Sequence, residues 1–180
     1  MGQDTLDCSE YIKREQPYLR QLMEHFRGYA QELYGNIPSG LVVHNNDGEN
    51  QLRYDITAHI PNDAADGINQ GKIFCYDLLL LTLRARHSVD FLFHDNRLFA
   101  DMDFNQRFSL FRLADRVCRE NGLQYIASVN EDVIDSVRNV AGTEFERLFE
   151  EPRILELTDE PGGTGKLLGM QIDMKYDEED

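Results

Sequence analysis

The 180-residue sequence has few basic residues, few cysteines and no long hydrophobic run. Lysine and arginine number 18 against 33 aspartates and glutamates, and the resulting net charge of −15 argues against a broad nucleic-acid-binding face. The widely spaced Cys8, Cys75 and Cys118 support neither a disulfide framework nor a zinc site. The longest apolar stretch, around residues 78–83, is too short to span a bilayer, and the polar amino terminus is unlike a signal peptide. We therefore predict a cytoplasmic protein with no membrane partner.

Hydrophobic periodicity predicts an α/β chain with enough apolar residues, 41%, to bury the core of one domain. In chain order the predicted elements are a helix over residues 11–34, strands over 40–44 and 51–60, a helix over 72–86, a strand over 89–94, a helix over 104–121, a strand over 124–129, a helix over 132–138, and strands over 153–157 and 167–174. The first two strands should form a hairpin around residues 45–48. The strand, helix and strand between residues 89 and 129 imply a parallel pair with a right-handed crossover.

One predicted strand ends in polar residues that could support chemistry. Residues 89–94 form an apolar run typical of a strand that is buried on both faces, and Asp95 and Asn96 follow it directly. P-loop ATPases hold the aspartate that binds magnesium, the Walker B aspartate, at the end of such a strand. Aspartates also follow strands for reasons of capping, so the neighbouring features have to decide between the two interpretations.

The order of features around Asp95 resembles the carboxy-terminal lobe of the ABC-type ATPase heads found in SMC and RecN proteins. A glycine-containing stretch, residues 66–72, opens the helix that leads into the strand, and the sequence FADMD follows at residues 99–103. A second apolar strand then ends in Asn130. The similarity runs from about residue 11 to residue 176 and includes an HDN triplet, His94-Asp95-Asn96, as in a family of SMC-like carboxy-terminal domains.

This resemblance implies a P-loop NTPase-like fold in which parallel strands with flanking helices form a partial sheet that lacks the Walker A lobe. Residues 1–36 would be the end of a coiled-coil-like helix that enters the head, and residues 37–180 would be the lobe itself. Asp95 would bind Mg²⁺ beside ATP. The implied partners are an amino-terminal Walker A lobe and a second head, with DNA contacted only through the assembly.

The resemblance also assigns roles to individual residues. Asn96 occupies the place of the glutamate that polarises the attacking water, and Asn130 the place of the switch histidine. Asp101 lies in a segment, residues 100–103, that looks like a D-loop. Residues 67–72 stand at the signature-motif position, where the nucleotide of the opposing head would be contacted by four residues, namely Gly67, Asn69, Gly71 and Lys72.

Two features of the sequence limit the expected activity. Asn96 has no proton-accepting carboxylate, so a different base, for which His94 is a candidate, would be needed for hydrolysis. The run GGTGK at residues 162–166 lacks the first glycine and the final serine or threonine of a phosphate-binding loop, and we interpret it as a glycine-rich hairpin. The chain should therefore not hydrolyse ATP efficiently by itself.

Two other functions remain open on the sequence alone. The lobe could be a non-enzymatic assembly module, an interpretation favoured by Asn96 and Asn130. Alternatively, Asp95, Asp101 and Asp103 could form a nuclease-like metal site, which predicts metal-dependent DNA cleavage without ATP.

Overall fold

A computed structural model describes residues 3–46, 53–84, 87–158 and 165–170 of the chain. Its elements are α1 (Gln3–Arg14), α2 (Gln16–Tyr34), β1 (Gly40–Asn45), β2 (Tyr54–His59), α3 (Asp66–Leu83), β3 (Phe91–His94), a 3-10 turn (Asn96–Leu98), α4 (Phe104–Asn121), β4 (Gln124–Ala127), α5 (Glu131–Ala141), a second 3-10 turn (Gly142–Glu144) and a π-helical turn (Glu146–Glu150). The fold is therefore α/β, with one antiparallel and one parallel pair of strands.

The helix predicted over residues 11–34 is two helices, because the chain breaks at Glu15. Pro17 lies in the first turn of α2, where its ring is tolerated, but the same ring would clash with the carbonyl of Lys13 if α1 continued. Helix α1 instead contacts the hairpin. Asn45 donates a hydrogen bond of 3.1 Å from Nδ2 to Ser9 Oγ on that helix.

The predicted hairpin is confirmed as an antiparallel pair, with Leu41 opposite Ala58 and Asn45 opposite Tyr54. Most of its turn, residues 47–52, lies outside the described residues. Leu41 is buried, whereas the opposite face of the hairpin, with Val42 and His44, is exposed to solvent. The hairpin therefore covers α2 with one face only.

Helix α3 lies at the centre of the core, as its apolar sequence predicts, but it begins at Asp66 rather than Lys72. The second half of the segment between the predicted strand over residues 51–60 and the predicted helix over 72–86 is therefore helical. Buried residues of α2, α3, α4 and α5 form one continuous cluster, which includes Phe26, Phe74, Leu78, Leu110, Val117 and Val137. No helix among the described residues has the length and apolar character needed to cross a membrane.

The predicted parallel pair is confirmed, and α4 is the crossover between β3 and β4. One face of this pair packs on the core, but the other does not, which corrects the expectation that the strand is buried on both faces. Val89, Phe91 and Phe93 alternate along that second face and are 49%, 48% and 52% exposed. We call these three residues the open sheet face.

The carboxy-terminal part departs from the prediction of two strands. Residues 153–157 form no strand with any described residue, and Ile154 is 93% exposed. The chain does turn back on itself, because the Thr158 N–H donates to the carbonyl of Gly165 at 3.0 Å and Lys166 Nζ donates to the carbonyl of Thr158 at 2.8 Å. Residues 161–164 and 171–174, which complete the predicted hairpin, lie outside the described residues.

Candidate functional site

The polar residues that follow β3 and β4 meet at one end of the parallel pair. Asp95 follows β3 and caps the 3-10 turn, since its Oδ1 accepts a hydrogen bond of 3.1 Å from the N–H of Arg97. Its side chain is exposed. Asp95 thus presents a carboxylate at the strand end, where the sequence predicts a metal ligand.

Asn96 and Asn130, predicted as parts of one site, are in direct contact. The N–H of Asn130 donates to Oδ1 of Asn96 at 2.9 Å, and Asn130 then begins α5. Just before it, the N–H of Ser128 donates to the carbonyl of His94 at 3.0 Å. These two bonds hold the ends of β3 and β4 together, and the carbonyl oxygen of the Asn96 amide is occupied by one of them.

His94 points into the core, because successive side chains of a strand lie on opposite faces. Its Nε2 lies 3.1 Å from Oδ2 of Asp77 on α3, and its Nδ1 lies 3.1 Å from the hydroxyl of Tyr125 on β4. Burial raises the pKa of Tyr125 well above its usual value, so this hydroxyl stays protonated and can donate. With the ring proton on Nε2, His94 donates to Asp77 and accepts from Tyr125 at Nδ1.

This arrangement corrects the expectation that His94 could be a general base. Both ring nitrogens are engaged inside the protein, and the side chain is only 10% exposed, so a substrate water cannot reach either nitrogen without breaking a bond. His94 instead joins β3 to α3 and β4. Sequence reasoning missed Asp77, although a single acidic residue in the apolar run of α3 is a signal that a buried partner is present.

The residues predicted as a signature loop form the first turns of α3, and two of them are glycines for reasons of packing. A Cβ on Gly67 would overlap the carbonyl oxygen of Asp101 and lie 3.1 Å from its carbonyl carbon. A Cβ on Gly71 would lie 2.8 Å from Cζ of Tyr34. Gly71 is buried there, so it does not offer a surface to a nucleotide.

The other residues predicted for the nucleotide have mixed surroundings. Lys72 donates from Nζ to Oδ2 of Asp63 at 2.8 Å, and this hydrogen bond lowers the pKa of Asp63 despite the opposing effect of burial. The Lys72 ammonium thus forms an ion pair with Asp63. Asn69, one turn into α3, is half-buried. Gln70 donates from Nε2 both to Oδ2 of Asp101 at 3.0 Å and to the carbonyl of Arg97 at 2.9 Å, which connects α3 to the segment after Asp95.

The three aspartates of the nuclease alternative do not converge. Asp95 caps the 3-10 turn and Asp101 is bound by Gln70, whereas Asp103 caps α4 in a capping box with Gln106. Within the described part of the chain no three His, Cys, Asp or Glu side chains are placed to hold a metal ion together. The arrangement therefore does not support a nuclease-like metal site made by this chain alone.

Comparison with known proteins gives one finding. A family described as "Uncharacterised protein conserved in bacteria (DUF2326)" matches residues 29–172. The chain belongs to this family. No curated protein matches the sequence. The matched range begins in α2 and contains every candidate site residue discussed above.

A further residue inside the DUF2326 match, Arg107 on α4, fixes the segment predicted as a D-loop. Its Nε and Nη2 donate to the carbonyls of Phe99 and Ala100, and its Nη1 donates to Oγ of Ser136 on α5, each at 2.9 Å. Sequence reasoning missed Arg107 because an arginine on an amphipathic helix is ordinarily a solvent-facing residue. Together with Gly67, it leaves the backbone at residues 99–101 little room to move.

Proposed function

We propose that this chain is the carboxy-terminal half of an ABC-type ATPase head of the SMC and RecN kind, which binds Mg²⁺ and ATP only together with an amino-terminal Walker A lobe. The observation that carries the proposal is the open sheet face. Parallel sheets are normally covered on both faces, whereas here Phe91 and Phe93 on β3, and Val89 just before it, are about half exposed. A second lobe that continues the sheet and covers this face would bury them.

The open sheet face leads directly to the strand end that carries Asp95. This is the geometry that a P-loop ATPase needs, because a partner strand beside β3 would bring its own loop to the same end of the sheet. Asp95 fits the metal chemistry, since Mg²⁺ in such sites is held by one or two carboxylates, with phosphates and waters completing its shell. Oδ2 of Asp95 has no partner among the described residues and is available for this purpose. The cation, when bound, would neutralise phosphate charge.

Asn96 would orient a water rather than deprotonate it, because an amide is not a base and its Oδ1 already accepts from Asn130. With His94 turned into the core, the described part of the chain supplies no general base at the strand end. ATP hydrolysis by the complex would therefore be slow, or the partner lobe would supply the base. In a dimer of heads, the first turn of α3 with Asn69 would face the nucleotide of the second head. The resemblance places such heads in DNA repair, chromosome maintenance or defence.

The test uses this chain co-purified with a candidate amino-terminal Walker A lobe. We expect Asp95→Asn to abolish magnesium-dependent binding of a fluorescent ATP analogue to the complex. Asp90→Asn is the matched control, because Asp90 is an exposed carboxylate that precedes the same strand at its other end. Equal nucleotide binding by both variants would contradict the role of Asp95.

A second pair of variants tests the docking surface. Phe93→Ser should weaken association of the two lobes, whereas Phe104→Ser removes a phenylalanine of similar exposure, 49%, from the start of α4 and should not. Size-exclusion chromatography and calorimetry would measure the association. Lobes that associate equally well with both variants would exclude the open sheet face as the docking surface.

A non-enzymatic assembly module is the alternative. It is favoured by the hydrogen bond between Asn96 and Asn130, which gives the asparagine at the catalytic position a structural role. This alternative predicts that the two lobes associate with the same affinity with and without Mg²⁺ and ATP, and that Asp95→Asn changes nothing.

A further inference from the structure

One pocket lies away from the strand-end site, between the end of α2 and the outer face of the hairpin. Its volume is about 580 Å³, within the range of roughly 300–1,000 Å³ that is usual for small-molecule sites. No residue of α3, β3 or β4 lines it. The pocket is therefore separate from the proposed ATPase site, and the inference below does not rest on that proposal.

The charge of this pocket is opposite to that of the protein. The chain carries a net charge of −15, yet none of the nine lining residues is an aspartate or glutamate. Arg27 and His59 supply its basic groups. Asp63, the nearest carboxylate to His59 at 3.6 Å from Nδ1, is bound by Lys72 at 2.8 Å. A positive concave site on a strongly acidic protein attracts anions locally.

One nitrogen of the Arg27 guanidinium is bound by the protein, and the two terminal nitrogens can bind a ligand. Its Nε donates to the carbonyl of Ser39 at 3.3 Å, which fixes the guanidinium at the pocket. In the part of the chain that the structure describes, no carboxylate lies within ion-pair distance of Arg27, so its two terminal nitrogens keep their hydrogen-bonding capacity. A guanidinium fork in this state matches the two oxygens of a carboxylate or phosphate.

Ser39 lines the pocket, but its hydroxyl is not open to it. The residue is 6% exposed, and its Oγ is buried and has no hydrogen-bond partner among the described residues. A ligand in the pocket therefore does not contact this hydroxyl, and recognition has to come from other groups. Asn36 adds a donor, because its Oδ1 accepts from Gln31 at 3.3 Å and leaves the amide N–H₂ for another partner.

We infer that this pocket binds a small organic anion, with Arg27 holding its carboxylate or phosphate group. Ile37, Pro38 and Val42 line the remainder of the pocket and give the ligand an apolar wall. An anion with an apolar body therefore fits better than a bare inorganic ion.

The experiment follows amide chemical shifts of the full chain during titration with benzoate and with phenyl phosphate, using benzamide as the neutral probe. We expect saturable shifts at residues 36–42 with one or both anions and none with benzamide. Arg27→Gln should weaken binding by roughly tenfold or more, as expected for loss of a charge-assisted hydrogen-bonded pair. The relative affinities of the two anions identify the preferred head group.

The matched control is Arg20→Gln, because Arg20 is an exposed arginine on the same helix, two turns before Arg27, and does not line the pocket. It should bind the anions as the wild type does. The inference is wrong if neither anion gives saturable shifts, if benzamide binds as well as benzoate, or if the Arg27 and Arg20 variants bind equally. Far-ultraviolet circular dichroism of each variant confirms that it is folded.

Discussion

Replacing Gly67 by alanine sets two physical effects against each other. In a helix, Gly→Ala ordinarily stabilises a protein by about 0.5–1 kcal/mol, because alanine loses less backbone entropy on folding. At Gly67 the new Cβ would overlap the backbone of Asp101, and Arg107 holds the two preceding carbonyls in place. Overpacking against atoms that cannot move costs about 1–3 kcal/mol. The steric cost of the overlap should exceed the gain in helix propensity, so Gly67→Ala should destabilise the fold by roughly 0.5–2 kcal/mol.

The matched control is Gly28→Ala in the middle of α2, where no atom beyond the chain neighbours and the backbone of the same helix lies within 4 Å of the added Cβ. This variant should be stabilised by the full helix-propensity gain. With an m-value of about 2 kcal/mol/M, urea unfolding followed by circular dichroism should give midpoints roughly 0.3–1 M below wild type for Gly67→Ala and about 0.2–0.5 M above it for Gly28→Ala. Equal stabilisation of both variants would refute the close approach of α3 to Asp101.

Two further predictions concern buried and charged partners. Tyr125→Phe removes the donor to Nδ1 of His94 and should destabilise the fold by about 1–3 kcal/mol in urea unfolding, and a wild-type midpoint would contradict that bond. The pKa of Asp115 is lowered because hydrogen bonds from Arg119 and Arg147 together outweigh burial, which opposes them as the largest single effect. A lowered folded-state pKa contributes stability above the unfolded pKa of about 3.9, and this contribution is lost as pH falls through the folded value. Asp115→Asn should therefore be less stable than wild type at pH 7, and this difference should shrink as the pH falls below about 3.9; a constant difference would contradict the assignment.

Helices and strands that are determined by residues within or next to them could be predicted from the sequence. Helix α4 runs over Phe104–Asn121 as predicted, since Asp103 and Gln106 form a capping box at its start and Gly122, with φ of +62°, ends it. The hairpin and the parallel pair were predicted for the same reason, because their apolar runs alternate or end at turn residues.

Features that depend on distant contacts could not be predicted. The first turn of α3 is rich in residues that disfavour helices, yet it is helical because Gly67 and Gly71 allow Asp101 and Tyr34 to approach. The sequence around His94 does not show that its ring is enclosed by Asp77 and Tyr125, residues 17 and 31 positions away. The proximity of Asp95, Asn96 and Asn130 could therefore be predicted, whereas the enclosure of His94 and the packing of Gly71 against Tyr34 could not. The functional roles of the first three residues stay predictions.

The open sheet face also affects how this acidic protein behaves in solution. Two copies brought together through Phe91 and Phe93 would bury apolar surface, while their net charges of −15 oppose the encounter. That repulsion acts over about 8 Å at physiological ionic strength and about 3 Å at 1 M salt. Concentrated salt therefore removes the barrier between copies without weakening the apolar attraction. The acidity of the chain protects its colloidal stability, and an isolated chain should lose solubility as salt is added.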